Sequence, residues 1–277
     1  MDPTSTRRKD GFRERGQQVT RLEAFVDAAF AFAVTLLVIR VGTLPQSIDE
    51  LYDALRAVPA FAASFAVIAM FWMAHNRWSR RFGLDDGASV FYSLLLVFLV
   101  LVYVYPLRML FTSGFGWATQ ALPEPFRLHS DFRLAGLPAL QQMYVIYAIA
   151  WTTLGLVIVQ LYRHAWRQRD ALQLTLEEQA ATRAEIARWL LVPATGMVSF
   201  ALALLLPFEN ERRSAATAWL PGAAYILMSL TGVVMESYRR REHERLVAEG
   251  VSGGAPARAS SLGAKRRRRR RNRAPTA

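Results

Sequence analysis

The stretch RLEAFVDAAFAFAVTLLVIRV, residues 21–41, is apolar over a membrane-spanning length yet carries Asp27 in its first third, with Arg21 and Glu23 just before it. A carboxylate near hydrocarbon is costly by several kcal/mol unless it is paired or faces water. In a segment this rich in Ala, Phe, Leu and Val, the acid reads as belonging to a helix turned toward the inside of a bundle or a pore.

Further apolar runs follow, too long for soluble strands, and hydrophobic residues make up 53% of the 277-residue chain. Each run approaches the ~20 residues that cross a ~30 Å hydrocarbon core. The chain therefore reads as an all-α polytopic membrane protein. Cysteine is absent, which removes disulfides, thiolate metal sites and cysteine nucleophiles. The N-terminal MDPTSTRRKDGFRERGQQ is polar and charged for too long to be the start of a secretory signal, so the first hydrophobic helix is expected to stay in the protein.

Six spans are expected, over about 19–41, 58–74, 88–111, 140–162, 189–208 and 217–235, the second preceded by a helical start near Asp49. Lys and Arg collect on alternate connections. Arg7, Arg8, Lys9, Arg13 and Arg15 precede the first span, and Arg77, Arg80 and Arg81 follow the second. Arg163, Arg167, Arg169, Arg183 and Arg188 follow the fourth, and Arg239, Arg240 and Arg241 follow the sixth. The opposite connections are poorer: Arg56 stands against Asp49, Glu50 and Asp53, and Arg127 and Arg133 against Glu124 and Asp131. An even number of spans with both ends on the basic side places both termini in the cytoplasm. This gives a basic N-terminal segment at 1–18, a six-helix domain at 19–238 and a basic tail at 239–277, in a multi-pass cell-membrane protein. A cytoplasmic helical connection is expected at about 165–188, helical from Asp170 to Arg188, with Thr175 and Glu178 spaced as a capping box. The stretch after Gly250, low in aromatics and rich in Gly, Ser, Ala and Arg, is expected to be disordered.

Signals for catalysis are weak. His75, His129, His164 and His243 are scattered, and no HExxH, GxSxG, Walker A or GxGxxG pattern occurs. The chain is not expected to be an enzyme, nor to hold a metal or a cofactor. Thr112-Ser113-Gly114-Phe115-Gly116 faintly resembles a carbonyl filter, but it follows the third span directly instead of a pore helix in a re-entrant loop, so it reads as a glycine-rich helix exit. The first span carries more. Phe32, Leu36 and Ile39 share a helix face with Thr35 beside them, and Asp27 lies near that face. In an oligomer such a stripe gives stacked apolar rings, a hydroxyl among them and an acid ring near one mouth. The same residues equally suit a buried bundle helix whose Asp27 pairs with Arg77, Arg21 or His75.

The run Arg21-Leu22-Glu23-Ala24-Phe25-Val26-Asp27, continued by AFAVTLLVIRV, resembles the first helix of the lysosomal and bacterial potassium-channel family named for transmembrane protein 175. Phe71-Trp72-Met73-Ala74-His75-Asn76-Arg77 is similar to that family's FWxxHxR stretch, and the third span, with its Leu-rich run ending at Pro106, fits as well. The resemblance covers about residues 21–112 and is hydropathic beyond. It implies one six-span repeat per chain, assembly as a tetramer, and a pore lined by the first helix with no carbonyl filter. Carried over by position, Phe32 forms the narrowest ring, with Leu36 and Ile39 further along, and Thr35 supplies the hydroxyl tied to potassium preference. Arg21, Phe25, Asp27 and His75 map to a buried polar network that holds the first helices in place.

Three positions depart from the family pattern: Val26 stands for the serine of the triplet, Phe32 for the usual isoleucine, and Arg40 where an acid is common. The implied function is modestly potassium-selective cation conduction by a homotetramer. The alternatives from other classes are a proton-coupled secondary transporter using Asp27 and His75, and a non-conducting membrane scaffold. The net charge of +12 comes in part from Lys265–Arg271. With no nucleic-acid-binding fold beside it, this run reads as a partner of the anionic inner leaflet, gaining ~1 kcal/mol per basic residue near the surface.

Overall fold

The computed structural model describes residues 12–13, 15–16, 18–39, 46–123, 126–128, 136–206 and 217–225. By its internal contacts the chain divides into Met1–Met228 and Ser229–Ala277, and every described residue belongs to the first unit. The second unit, with the basic tail, lies outside the described residues.

The described residues form six helices: α1 (Arg21–Ile39), α2 (Ile48–Arg56), α3 (Val58–Phe82), α4 (Gly87–Ala118), α5 (Leu137–Arg167) and α6 (Leu176–Leu205). Among the described residues, four stretches are long and apolar enough to cross a membrane: Ile48–Phe82, which joins α2 to α3, then α4, α5 and α6. α1 is a fifth apolar helix, burdened by Arg21, Glu23 and Asp27. Of the expected sixth span, 217–219 form a turn and 220–225 are helical, and the rest lies outside the described residues.

Helix boundaries follow local chemistry, and several correct the sequence expectations. Ser47 caps α2 by accepting from the Glu50 amide, and after the break at Ala57 Pro59 stands second in α3. α3 runs on to Phe82, well past Ala74. It stops at Gly83, whose φ of 59° is a left-handed conformation that glycine adopts without strain. α4 continues through Pro106 to Ala118, so Thr112–Gly116 is ordinary helix. Proline removes a hydrogen bond but does not stop a helix supported by neighbours. The connection after α5 turns through 168–173, and α6 starts at Leu176, six residues later than expected. The Thr175–Glu178 capping box is present, and α6 continues unbroken into the fifth span through Pro193.

α5 and α6 form the most extensive pair, α4 packs on α5, and α1 lies against α3 and α4. Two glycines set the α5–α6 approach. A Cβ on Gly155 would fall 2.6 Å from Val192 Cγ1, and one on Gly196 would fall 2.3 Å from Thr152 Oγ1. Where lipid removes the hydrophobic drive between helices, such close contact is a main source of association. Polar ties add to it: Trp151 Nε1 donates to Thr195 Oγ1 at 3.2 Å, Gln141 Nε2 to the Ala203 carbonyl at 2.7 Å, and Trp78 Nε1 to the Leu161 carbonyl at 2.9 Å.

Candidate functional site

α1 has two faces with different fates. Glu23, Val26, Phe30, Ala33 and Leu37, stepping by three and four, are buried against α3 and α4. Arg21, Phe25, Ala28, Phe32 and Thr35, stepping by four, three, four and three, are exposed on the other side. Phe25 and Phe32 are each 55% exposed, and Leu36 is half-buried beside them. The Thr35 hydroxyl donates to the Phe32 carbonyl at 2.7 Å, which fixes its hydrogen and leaves oxygen lone pairs for another partner. Ile39 ends the helix, and its side chain lies outside the described ones.

α1 is pinned at three heights. At the start, Thr20 Oγ1 accepts from the Glu23 amide at 3.1 Å, and the buried Glu23 carboxylate lies 3.9 Å from Arg80. Two turns on, Asp27 Oδ1 accepts from Trp72 Nε1 at 2.7 Å. At the far end, a guanidinium N–H of Arg108 donates to the Leu37 carbonyl, one of the last four carbonyls that a helix leaves without internal donors.

The entry to α1 is also held. Phe12 is buried edge-on against Phe82 at 6.0 Å, with the Arg81 guanidinium 4.4 Å above its ring. Arg15 makes a two-pronged contact with the buried Glu178, at 3.1 Å to Oε1 and 2.9 Å to Oε2. Glu178 accepts as well from the Arg13 amide at 2.9 Å and the Thr175 amide at 3.0 Å. The Gly16 amide then donates to the Arg80 carbonyl at 3.3 Å, and the chain reaches Thr20 and α1. The segment before the first helix is thus fastened to the start of α6 and the end of α3.

The sequence-derived residues fall into place unevenly. Phe32 and Thr35 share one exposed face of α1, with Leu36 at its border. Within one chain, Arg21 and Phe25 lie on that same face, whereas Asp27 is tied to Trp72 and the buried His75 lies 2.9 Å from Ser93 Oγ. Arg77, an expected partner for Asp27, instead lies 3.7 Å from Glu185. Trp72 and Arg108 were not singled out from sequence, although both had a signal. Trp72 belongs to the FWxxHxR stretch, and Arg108 is the one charged side chain in the 32 residues of α4. Arg15 and Glu178 are 163 residues apart, so no local pattern marks their pairing. Among the described residues, no three His, Asp or Glu side chains are grouped to hold a metal.

Long apolar helices with a charged, polar-anchored first helix define a helical membrane protein. Known proteins refine that class. The family described as the endosomal/lysosomal potassium channel TMEM175 matches residues 21–106. A potassium channel of Marivirga tractuosa is 30% identical over 241 residues, which is 86% of this chain and 94% of that protein. A potassium channel of Chamaesiphon minutus is 26% identical over 192 residues, 67% of this chain and 84% of its own length. A crystal structure of the potassium channel MtTMEM175, a threonine-to-alanine variant held by a nanobody fusion, superposes with a TM-score of 0.69 at 28% identity. It covers 88% of this chain and 99% of that one. This chain belongs to the TMEM175 family, whose relatives here are potassium channels and not enzymes.

Proposed function

We propose that this chain is the protomer of a homotetrameric potassium channel of the cell membrane, with α1 lining a central pore. The observation that carries this reading is the division of α1. One face is pinned by Trp72, Arg80 and Arg108, and the other leaves Phe32 and Thr35 exposed among the described residues. An uncovered face that includes a threonine and an arginine suits a meeting with further copies around an aqueous axis better than it suits lipid.

In this reading, Phe32, Leu36 and Ile39 from four copies form stacked apolar rings. Ions pass by losing part of their hydration shell at a narrow neck. The Thr35 oxygen, its hydrogen held by the Phe32 carbonyl, turns lone pairs toward a dehydrating cation and favours the more easily dehydrated potassium over sodium. Arg21 and Phe25, on the same face, meet a neighbouring copy and join Asp27 and His75 in holding the first helices together. Six spans and two cytoplasmic termini, with 1–18 basic, 19–238 forming the membrane domain and 239–277 a basic tail on the anionic inner leaflet, complete the topology. Conduction needs no cofactor, since potassium is the cargo.

The experiment is potassium against sodium flux from liposomes holding the purified protein, for the native chain and for Phe32→Ala. Potassium flux above sodium flux, with a larger leak and weaker discrimination in the variant, is the expected result. No flux of either ion, or flux unchanged by Phe32→Ala, contradicts it. A proton-coupled transporter would lose coupled flux, and a scaffold would show none.

A further inference from the structure

Among the six described helices, α2 alone buries no residue, yet its two sides differ sharply. Ile48, Leu51, Tyr52 and Leu55, stepping by three, one and three, share one face, and all four are exposed. Asp49, Glu50, Asp53 and Arg56 lie on the other side. Local bonds hold the helix at both ends. Ser47 Oγ accepts from the Glu50 amide at 3.2 Å, Glu50 Oε2 accepts from the Gln46 amide at 2.7 Å, and Arg56 donates to Asp53 at 2.8 Å. Nine residues are nevertheless too few for a helix to persist in water on local bonds alone, so the apolar face needs a contact.

The adjoining span indicates what that contact is. Ile48–Phe82 is 35 residues long, about 50 Å as helix, against a hydrocarbon core of ~30 Å. Residues 58–76 carry no Asp, Glu, Lys or Arg and by themselves approach the ~20 residues that cross it. Arg77, Arg80 and Arg81 mark one boundary, so the other falls near Val58 and leaves α2 just beyond the core. The helix is interrupted at that point. The Ala57 amide turns back to the Ala54 carbonyl at 3.2 Å, and Pro59 has no amide to continue the ladder. A short helix at headgroup depth, apolar on one face and charged on the other, is stable lying in the plane of the membrane surface. Three acids against one arginine give it no attraction to anionic lipid, so the apolar face supplies the binding.

We infer that α2 is an interfacial helix whose partner is the bilayer surface, at the end of the protein away from Arg77, Arg80 and Arg81. Ile48, Leu51, Tyr52 and Leu55 rest among the headgroups and upper chain segments, and the acids face water. Residues 40–47 join α2 to α1, so the same contact steadies the Ile39 end of α1. The lipid contact stands independently of the channel reading, whereas its effect on conduction rests on that reading.

The test uses the full-length protein in phosphatidylcholine liposomes. Because the native chain has no cysteine, Leu51→Cys, Leu55→Cys, Asp49→Cys and Asp53→Cys each carry a single nitroxide label. Collisions with oxygen, which concentrates in lipid, are compared with collisions with a water-soluble nickel chelate. Labels at 51 and 55 are expected to favour oxygen severalfold more than labels at 49 and 53. If a labelled variant fails to insert, Ile48→Cys or Tyr52→Cys takes its place on the apolar face. The same balance at all positions overturns the proposal. Labels at 51 and 55 that are immobile and shielded from both reagents also overturn it, because a second copy or another segment of this chain then covers the face. Leu51→Ser combined with Leu55→Ser should lower the preference for potassium over sodium flux severalfold, and an unchanged preference refutes the hold on α1. If the label contrast is found while the native chain carries no flux in any lipid, the channel reading fails and the interfacial helix stands.

Discussion

α1 and α4 each turn an uncovered face outward from the single chain, but the two faces are made of different material. On α4 the exposed side chains are Phe91, Leu94, Phe98, Val102 and Tyr105, stepping by three and four, which is what hydrocarbon accepts. On α1 they are Arg21, Phe25, Ala28, Phe32 and Thr35, where charge, a hydroxyl and small residues interrupt the aromatics. Their inner sides differ too. α4 buries mostly Leu96, Val97, Val100 and Val104, with Ser93 on His75 and Arg108 on the Leu37 carbonyl as its polar ties, whereas α1 adds to its apolar contacts an acid on a tryptophan and an acid near an arginine. A helix facing lipid can be held by shape alone. A helix facing water or a polar partner has no lipid pressing on it uniformly, and directional bonds fix its rotation.

The contrast can be broken first at the entries to the two helices. Glu178→Ala removes the buried acid that fastens Arg13 and Arg15 ahead of α1, and should lower unfolding stability by about 3–5 kcal/mol. Asp86→Ala removes the partly exposed cap of α4 together with its bonds to His164 and Gln168, worth about 1–2 kcal/mol. Denaturation of the two variants in one detergent makes the comparison, and equal losses would mean that the strap does not hold α1.

The outer faces come next. Phe98→Asp places an acid in lipid at the middle of α4 and should cost about 3 kcal/mol, seen as a loss of inserted, folded protein. Thr35→Asp, on the face that the proposed pore turns to water, should fold nearly as well as the native chain. Comparable losses would place both faces in lipid.

A smaller effect concerns the inner tie. Trp72→Phe keeps the ring and removes the donor to Asp27, at about 1 kcal/mol for this partly exposed bond. Hydrogen exchange should quicken in the first half of α1 and not in α4.

The smallest is a response to acid. Burial by itself would push the Asp86 carboxyl up, but the Ser89 hydroxyl and amide and the His164 imidazole outweigh it and hold the carboxyl below its usual range. A carboxyl depressed in the folded state contributes stability that is complete above its unfolded value of 3.8 and is lost as pH falls through the lower folded value. Thr20, which caps α1, does not titrate. Amide exchange at 87–90 should therefore rise in that acid window while exchange at 21–24 stays level, and a parallel rise would point to general loosening.

Much of this was legible in the chain itself. Helix class, the marked character of residues 21–39 and the Thr175–Glu178 cap followed from apolar length, one misplaced acid and a four-residue pattern. What was hidden has physical reasons. α4 is apolar on every side, so its sequence does not show where it stops or which side meets protein, and the glycine-bearing 112–116 looked like an exit because tertiary support is not local information. Asp27 showed that a partner was needed without showing which one, since Trp72 lies 45 residues away. The second role of Glu178, as the receiver of Arg15, adds nothing to the capping pattern that announces the first.

The absence of cysteine allows a direct measurement of the central claim. Single Phe32→Cys and Phe98→Cys channels in liposomes can be exposed to a charged, membrane-impermeant thiol reagent while potassium flux is recorded. If α1 lines the ion path, modification at Phe32→Cys changes flux severalfold and treatment of Phe98→Cys leaves it unchanged. Persistent flux with Phe32→Cys unreactive, or equal effects at both positions, would contradict the account.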